Sequence, residues 1–273
     1  MEDTDYALGR TSAEYDRLTE QAELLRPITE RMLRAAGICA GMHVLDVGCG
    51  VGDVSFLVSA LVGPQGRAVG VDLDRDAIQI AERRRAEQRL TNVTFRHGDA
   101  RSIEVERLFD AAVGRLVLMF MSDPTAALRL IAERVRPGGV VAFHEWVGRM
   151  PSAIDQPVLA SLQHLLSTTF ERSGAQLEIG AELYWRMLDA GLEPEPRPLA
   201  EIAVDGEQGA LAYRRWVLIA RSLLPKIIEY GLATEEEVLH TVEQELRNEL
   251  LATRGLTPLS WLMIGQWACK PMP

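Results

Sequence analysis

The sequence predicts an α/β fold: a doubly wound, mostly parallel, seven-stranded sheet with an N-terminal helix and a helical lid. Three observations predict it. Short apolar segments alternate with helix-like ones between His43 and Trp146, the rhythm of strand–helix–strand units with right-handed crossovers. The apolar segments are continuous rather than alternating, as strands covered on both faces require. A glycine-rich turn, Gly48-Cys49-Gly50-Val51-Gly52, follows the first of them.

The elements follow in order. Residues 12 to 36 read as helix: Leu18, Leu24, Leu25, Ile28, Met32 and Leu33 approximate the helical period, and Gly37 stops it. His43 to Val47 is a buried strand. Residues 52 to 62 form its following helix, closed by Gly63-Pro64-Gln65-Gly66. Ala68 to Val71 is the second strand, Arg75 to Arg89 the second helix and Val93 to His97 the third strand. Asp110 to Val113 is the fourth, with an extension into Leu116-Val117 allowed. Thr125 to Val135 is a helix stopped by Pro137-Gly138-Gly139, and Val140 to His144 is the fifth strand. Beyond Trp146 the rhythm changes. Helices are expected at 154–173, 181–190, 209–230 and 234–252, a strand at 197–204, and an apolar strand at 261–269. This divides the chain into an N-terminal helical cover (1–37), a cofactor-binding core (38–147), and lid helices with C-terminal strands that complete the sheet (148–273).

Composition narrows the partners. The chain has 273 residues, 47% hydrophobic and 25% charged, an ordinary balance for a soluble globular protein. A formal net charge of −10 disfavours nucleic acid. The basic run Arg83-Arg84-Arg85 sits between Glu82 and Glu87 and reads as a solvated helix face. Cys39, Cys49 and Cys269 show neither a disulfide framework nor metal spacing. A reducing cytoplasm fits them. The N-terminus lacks a signal-peptide pattern, and no apolar run approaches the roughly 20 residues that span a bilayer. The expected partner is therefore a small molecule, with no metal, no nucleic acid and no membrane. Homodimerisation is compatible with such a chain.

The glycine loop follows a strand and opens a helix. Its glycines permit positive φ and close approach by a ligand, and the helix behind it offers unpaired N–H groups. Alone this indicates a nucleotide-like cofactor on a Rossmann-like sheet. Asp53 stands where a dinucleotide fingerprint wants Gly or Ala, and would repel a pyrophosphate. No Gly-Lys-Ser/Thr follows, so the loop is not a triphosphate cradle. Asp46, just before the glycines, suits a ligand with an ammonium group. S-adenosylmethionine carries an ammonium, a sulfonium and no phosphate. Asp72 ends the second strand, where an acid accepts from both ribose hydroxyls; a helix cap is the other use of an acid there, although Asp74 is the better cap. Asp99 ends the third strand, where it can accept from an adenine amine. Three acids at neighbouring strand ends make a pocket for a cationic cofactor.

These residues resemble the class I S-adenosylmethionine-dependent methyltransferases of the small-molecule type. Val44-Leu45-Asp46-Val47-Gly48-Cys49-Gly50-Val51-Gly52 resembles the first motif of that family. Val69-Gly70-Val71-Asp72 resembles its ribose-binding strand end, and Gly98-Asp99-Ala100 its adenine-binding motif. Phe109-Asp110 and Arg136-Pro137-Gly138-Gly139 resemble the start of the fourth strand and the turn before the fifth. The match runs in order over residues 38 to 146. The resemblance implies that Gly48 and Gly50 back the methionine part and that Asp72, with Leu73 next to it, holds the ribose. It places Asp99 and Ala100 on the adenine, and Arg115 or Leu116 beside the sulfonium. The segment from Tyr15 to Gln21 resembles the N-terminal helix that covers the cofactor, which makes Tyr15 and Gln21 possible contacts; exposed helix residues are the alternative. S-adenosylhomocysteine is the implied product.

Methyl transfer from a sulfonium is an in-line displacement needing alignment and desolvation, and a base only where the acceptor must lose a proton. The base candidates are His144 and Glu145 at the end of the fifth strand, one of them expected to face the pocket. A structural role for His144 is the alternative, and Glu145 could instead hold a cationic acceptor. Met119, Phe120, Trp146 and Trp185 are the candidate acceptor walls, with Trp216 beside them. The acceptor atom stays open between oxygen, nitrogen and carbon, with a secondary metabolite the expected substrate. An NAD(P)-dependent oxidoreductase and a non-catalytic adenosyl-ligand-binding module are the rival classes.

Overall fold

A computed structural model describes residues 12–148, 156–206, 210–253 and 257–273. The expected helix starts at 154 and 209 lie outside the described residues.

The first half is built as expected. Helix α1 (Ser12–Ala35) precedes β1 (His43–Val47), α2 (Asp53–Val62), β2 (Arg67–Asp72), α3 (Arg75–Glu87), β3 (Val93–His97), β4 (Phe109–Arg115), α4 (Pro124–Glu133) and β5 (Val135–Val147). Asp74 caps α3, accepting from the Asp76 and Ala77 amides. β4 ends at Arg115, short of the allowed extension into Leu116-Val117, and a 3-10 turn, Leu118–Phe120, follows.

The second half contains α5 (Pro157–Arg172), α6 (Ile179–Asp189), β6 (Glu193–Pro194), β7 (Leu199–Glu201), β8 (Val204–Asp205) and α7 (Ala210–Glu229). Then come α8 (Glu235–His240), a π-helical turn (Thr241–Glu245), α9 (Leu246–Ala252), β9 (Thr257–Pro258) and β10 (Leu262–Cys269). The single strand expected over 197–204 is thus two. The prolines at 194, 196 and 198 cannot donate to a ladder; β7 joins the main sheet, and β8 pairs with β9 in a separate ribbon.

The main sheet runs β3-β2-β1-β4-β5-β10-β6, with β7 also on β10, so it holds eight strands across seven positions. β1 to β5 are parallel, and β10 is antiparallel to β5. The strand order reverses between β1 and β4, the switch point where such sheets open a crevice at their carboxyl ends. Successive residues feed opposite faces. Val44, Ala111 and Val113 join one core with α2, α3 and Met32 of α1; Leu45, Ala112 and Phe143 join another with Leu128 of α4 and Leu183 of α6. Helices α5, α7 and α9 and the π-helical turn contribute Leu166, Trp216, Leu246 and Val242 to this second core. Trp261 joins them to β5, its ring 4.5 Å from Trp146 and 5.1 Å from Trp216.

Candidate functional site

The pocket opens at the carboxyl ends of β1 to β4 and is covered by the first half of α1. Its centre is the glycine loop. Gly48 has φ 64°, and a Cβ there would lie 2.3 Å from Val117 Cγ2. No larger residue fits without moving Val117. Gly50 has φ 51° with nothing within 4 Å of where a Cβ would project, so this side of the loop faces open space. The Gly50 N–H donates to Asp72 Oδ2 at 2.8 Å, and the Asp74 N–H donates to Asp72 Oδ1 at 2.8 Å. Two backbone amides therefore fix the Asp72 carboxylate on the pocket wall.

Arg84 braces the loop from behind. It donates to the Val51 carbonyl at 2.7 Å and to Asp53 at 2.8 Å. Asp53, the acid that argues against a pyrophosphate, is thus held in an ion pair, and Arg84 is more than one residue of a solvated basic face.

Asp99 and Ala100 line the pocket beyond β3, and Leu73 lines it beyond β2 while remaining 51% exposed. Burial acts to raise the Asp99 carboxyl, but hydrogen bonds from the side chain and amide of Arg101 bring it below its ordinary value. From α1, Tyr15 donates to Asp74 at 2.9 Å across the cleft. Gln21 accepts from Arg17 at 2.8 Å and from Arg215 at 3.1 Å. Tyr15, Arg17 and Gln21 all line the pocket, and Gln21 is buried rather than exposed.

The turn after β4 forms the far wall. Arg115 donates to Thr29 at 3.2 Å, and burial lowers its guanidinium below its usual range against the opposing pull of Asp53 and Asp46. Leu116 has φ 54°, a left-handed conformation that costs a non-glycine residue about 1–3 kcal/mol. Its N–H donates to the His144 carbonyl at 3.0 Å. Met119, Phe120 and Met121 continue the wall, joined by Trp146 and Phe170.

Five expected residues are elsewhere. Glu145 is fully buried behind the turn and does not line the pocket; its Oε1 accepts from the Val117 and Leu118 amides at 2.9 Å each. Three orphaned backbone donors outcompete the pocket for this carboxyl, which burial pushes up to about 7 against the pull of the Leu118, Val117 and Met119 amides. His144 is also absent from the wall. Its Nδ1 lies 3.3 Å from Thr29 Oγ1, and burial, with Arg115 nearby, takes the imidazole down to about 3. Asp46 lies behind the loop, accepting from Ser55 at 2.5 Å, and burial pushes it up to about 7. Trp185 is 63% exposed on the outer face of α6, stacked edge-on against Tyr184. Trp216 is fully buried with its Nε1 on the Pro258 carbonyl. Conversely, Arg17, Asp74, Val117, Met121 and Phe170 line the pocket without having been singled out. Among the described residues no cluster of His, Cys, Asp or Glu could hold a metal ion, and no helix is long and apolar enough to cross a membrane.

A doubly wound sheet with a glycine loop, an anchored acid after β2 and a second acid after β3 defines an adenosyl-cofactor-binding protein. The family described as methyltransferase domain matches residues 38–189, and the chain belongs to it, as a class I S-adenosylmethionine-dependent methyltransferase. Aklanonic acid methyltransferase DauC of Streptomyces sp. (strain C5) is 31% identical over 150 residues, 52% of this chain and 67% of that protein. Demethylmenaquinone methyltransferase of Lactococcus lactis subsp. lactis (strain IL1403) is 30% identical over 140 residues, 49% of this chain and 54% of its own. The match thus spans two thirds of the first and just over half of the second. A solved coclaurine N-methyltransferase bound to N-methylheliamine and S-adenosylhomocysteine shares the fold at TM-score 0.57 and 16% identity, over 92% of this chain and 72% of that one. The donor set fits S-adenosylmethionine: carboxylates for hydroxyls and amines, an open glycine loop, and no phosphate cradle.

Proposed function

We propose that this methyltransferase acts on a small, largely apolar acceptor, a natural product, through an acceptor oxygen that ionises without help from the protein. One observation carries the proposal. This pocket has an acidic half, with Asp72, Asp74 and Asp99, and an apolar half, with Met119, Phe120, Met121, Trp146 and Phe170. The first suits the cofactor's cation and hydroxyls, the second an aromatic ring system. Relatives named for aklanonic acid and demethylmenaquinone support an acceptor of this kind.

The bound cofactor supplies a methyl group already activated on sulfonium. The chain's own residues bind and orient. Asp72 holds the ribose, Asp99 and Ala100 the adenine, and Tyr15 and Gln21 close the cleft from above. The helical layer of α5, α7, α8 and α9 acts as the lid that keeps water from the apolar half. No carboxylate or imidazole stands among the apolar-half residues described here; His144, near 3, and Glu145 are both turned away. Catalysis then rests on alignment and desolvation, which favours an acceptor oxygen already anionic near neutral pH.

The test is methyl transfer from labelled S-adenosylmethionine to phenols and arenecarboxylates of graded acidity. The expected pH profile follows ionisation of each acceptor rather than one fixed group of the enzyme. Transfer confined to amines, or a profile identical for every acceptor, overturns the proposal.

A further inference from the structure

Arg215 of α7 is 5% exposed and has no acid partner among the described residues. Its Nε donates to the Leu259 carbonyl, its Nη1 donates to Gln21 Oε1 at 3.1 Å, and its Nη2 has no hydrogen-bond partner. A buried guanidinium held only by neutral oxygens, one N–H arm unused, is strongly disfavoured unless an anion joins it. Burial, with Arg17 and Arg115 nearby, lowers its pKa to about 9.

The neighbouring cations are answered differently. Arg17 is paired with the buried Glu14 through two hydrogen bonds, at 2.7 and 2.6 Å. Arg115 donates to Thr29 at 3.2 Å. Arg215 donates only to the Leu259 carbonyl and the Gln21 side-chain oxygen among the described residues. Gln21 Oε1 bridges Arg17 and Arg215, and Arg17, Gln21 and Arg115 all stand on the pocket wall. The unanswered charge therefore lies one hydrogen bond behind the wall, brought there by a helix of the layer assigned above to the lid.

We propose that Arg215, with Arg17 across Gln21, forms a carboxylate-recognition subsite for the methyl acceptor. The inference rests on the apolar half being the acceptor site. It specifies the acceptor's chemistry: an aromatic or otherwise apolar body carrying a carboxylate. The cofactor also carries a carboxylate, and comparing S-adenosylhomocysteine with its analogue lacking that group separates the two anions.

The experiment uses the full chain and its Arg215→Gln and Arg215→Lys variants, with folding checked by thermal melts. Titration calorimetry measures S-adenosylhomocysteine and its analogue lacking the carboxyl group. With S-adenosylhomocysteine bound, it then measures anthraquinone-2-carboxylate against anthraquinone-2-carboxamide. Losing one charge-assisted contact is expected to weaken the carboxylate probe about 10- to 100-fold in Arg215→Gln, with partial recovery in Arg215→Lys. The carboxamide and S-adenosylhomocysteine are expected to stay within about twofold. Equal binding of the two anthraquinones by the unmodified chain overturns the inference, as does equal weakening of both. A loss seen with S-adenosylhomocysteine but not with its decarboxylated analogue assigns Arg215 to the cofactor and also overturns it. Methyl transfer to uncharged acceptors alone leaves the small-molecule reading standing while the subsite fails.

Discussion

Replacing Glu145 with Gln separates a buried positioning group from a catalytic one. The carboxyl sits at about 7 in the fold, against an ordinary 4.5, with burial the dominant cause. A carboxyl raised by folding contributes stability that is complete below the ordinary value and is lost as pH climbs through the folded value. The window therefore runs from about pH 4.5 to about pH 8. The rise from 4.5 to about 7, at roughly 1.36 kcal/mol for each tenfold change in proton affinity, makes this loss about 3 kcal/mol. For a chain of this size that is about 6–12 °C in melting temperature. Gln keeps an oxygen for the Val117 and Leu118 amides but cannot ionise. The unmodified protein's advantage over Glu145→Gln is thus expected to shrink by about that amount between pH 5 and pH 9, in ligand-free melts by calorimetry. A difference that stays constant over this range refutes the buried-acid account. A second outcome would do so from the other side: a hundredfold fall in kcat with melting temperature and S-adenosylhomocysteine affinity intact would return Glu145 to the chemistry.

Three further perturbations test the pocket. Asp72→Ala strips a carboxylate held by two amides, leaving the Gly50 and Asp74 N–H groups without it; S-adenosylhomocysteine affinity is expected to fall by roughly 1–3 kcal/mol in calorimetry. Gly48→Ala places a methyl 2.3 Å from Val117 Cγ2 at a positive φ. It is expected to cost about 1–3 kcal/mol of stability, and chemical denaturation should show the double variant with Val117→Ala recovering the steric share alone. Trp185→Ala, on an exposed face, is expected to leave kcat/KM within about twofold; a tenfold loss in a steady-state methyl-transfer assay would place an acceptor where the pocket does not reach.

The convergence of the glycine loop and the acids on one pocket wall was legible because its information is local. A strand, a glycine turn and a helix start are neighbours in sequence, so Gly48, Gly50 and the acids 72 and 99 carry their geometry with them. Trp185 was also legible, and periodicity was the missed signal: Leu183 and Met187 are fully buried four residues apart, which puts the residue midway between them on the outer face. His144 and Glu145 were not. Which residue at a strand end faces a pocket depends on how the next segment turns. Here Leu116 takes a left-handed conformation, and the backbone donors that follow it claim the Glu145 carboxyl.

The cluster around Arg215 was illegible for a further reason. Arg17, Gln21 and Arg215 converge although Gln21 and Arg215 are 194 positions apart. Each alone reads as an amphipathic helix residue whose polar head belongs in water. Only tertiary structure buries them, and burial is what turns three ordinary polar side chains into a selective site. Solvation would satisfy Arg215 at no cost on a surface helix. Buried, the same arm must wait for a ligand, so the feature that makes this residue unfavourable to the empty fold is the one by which it can choose a substrate.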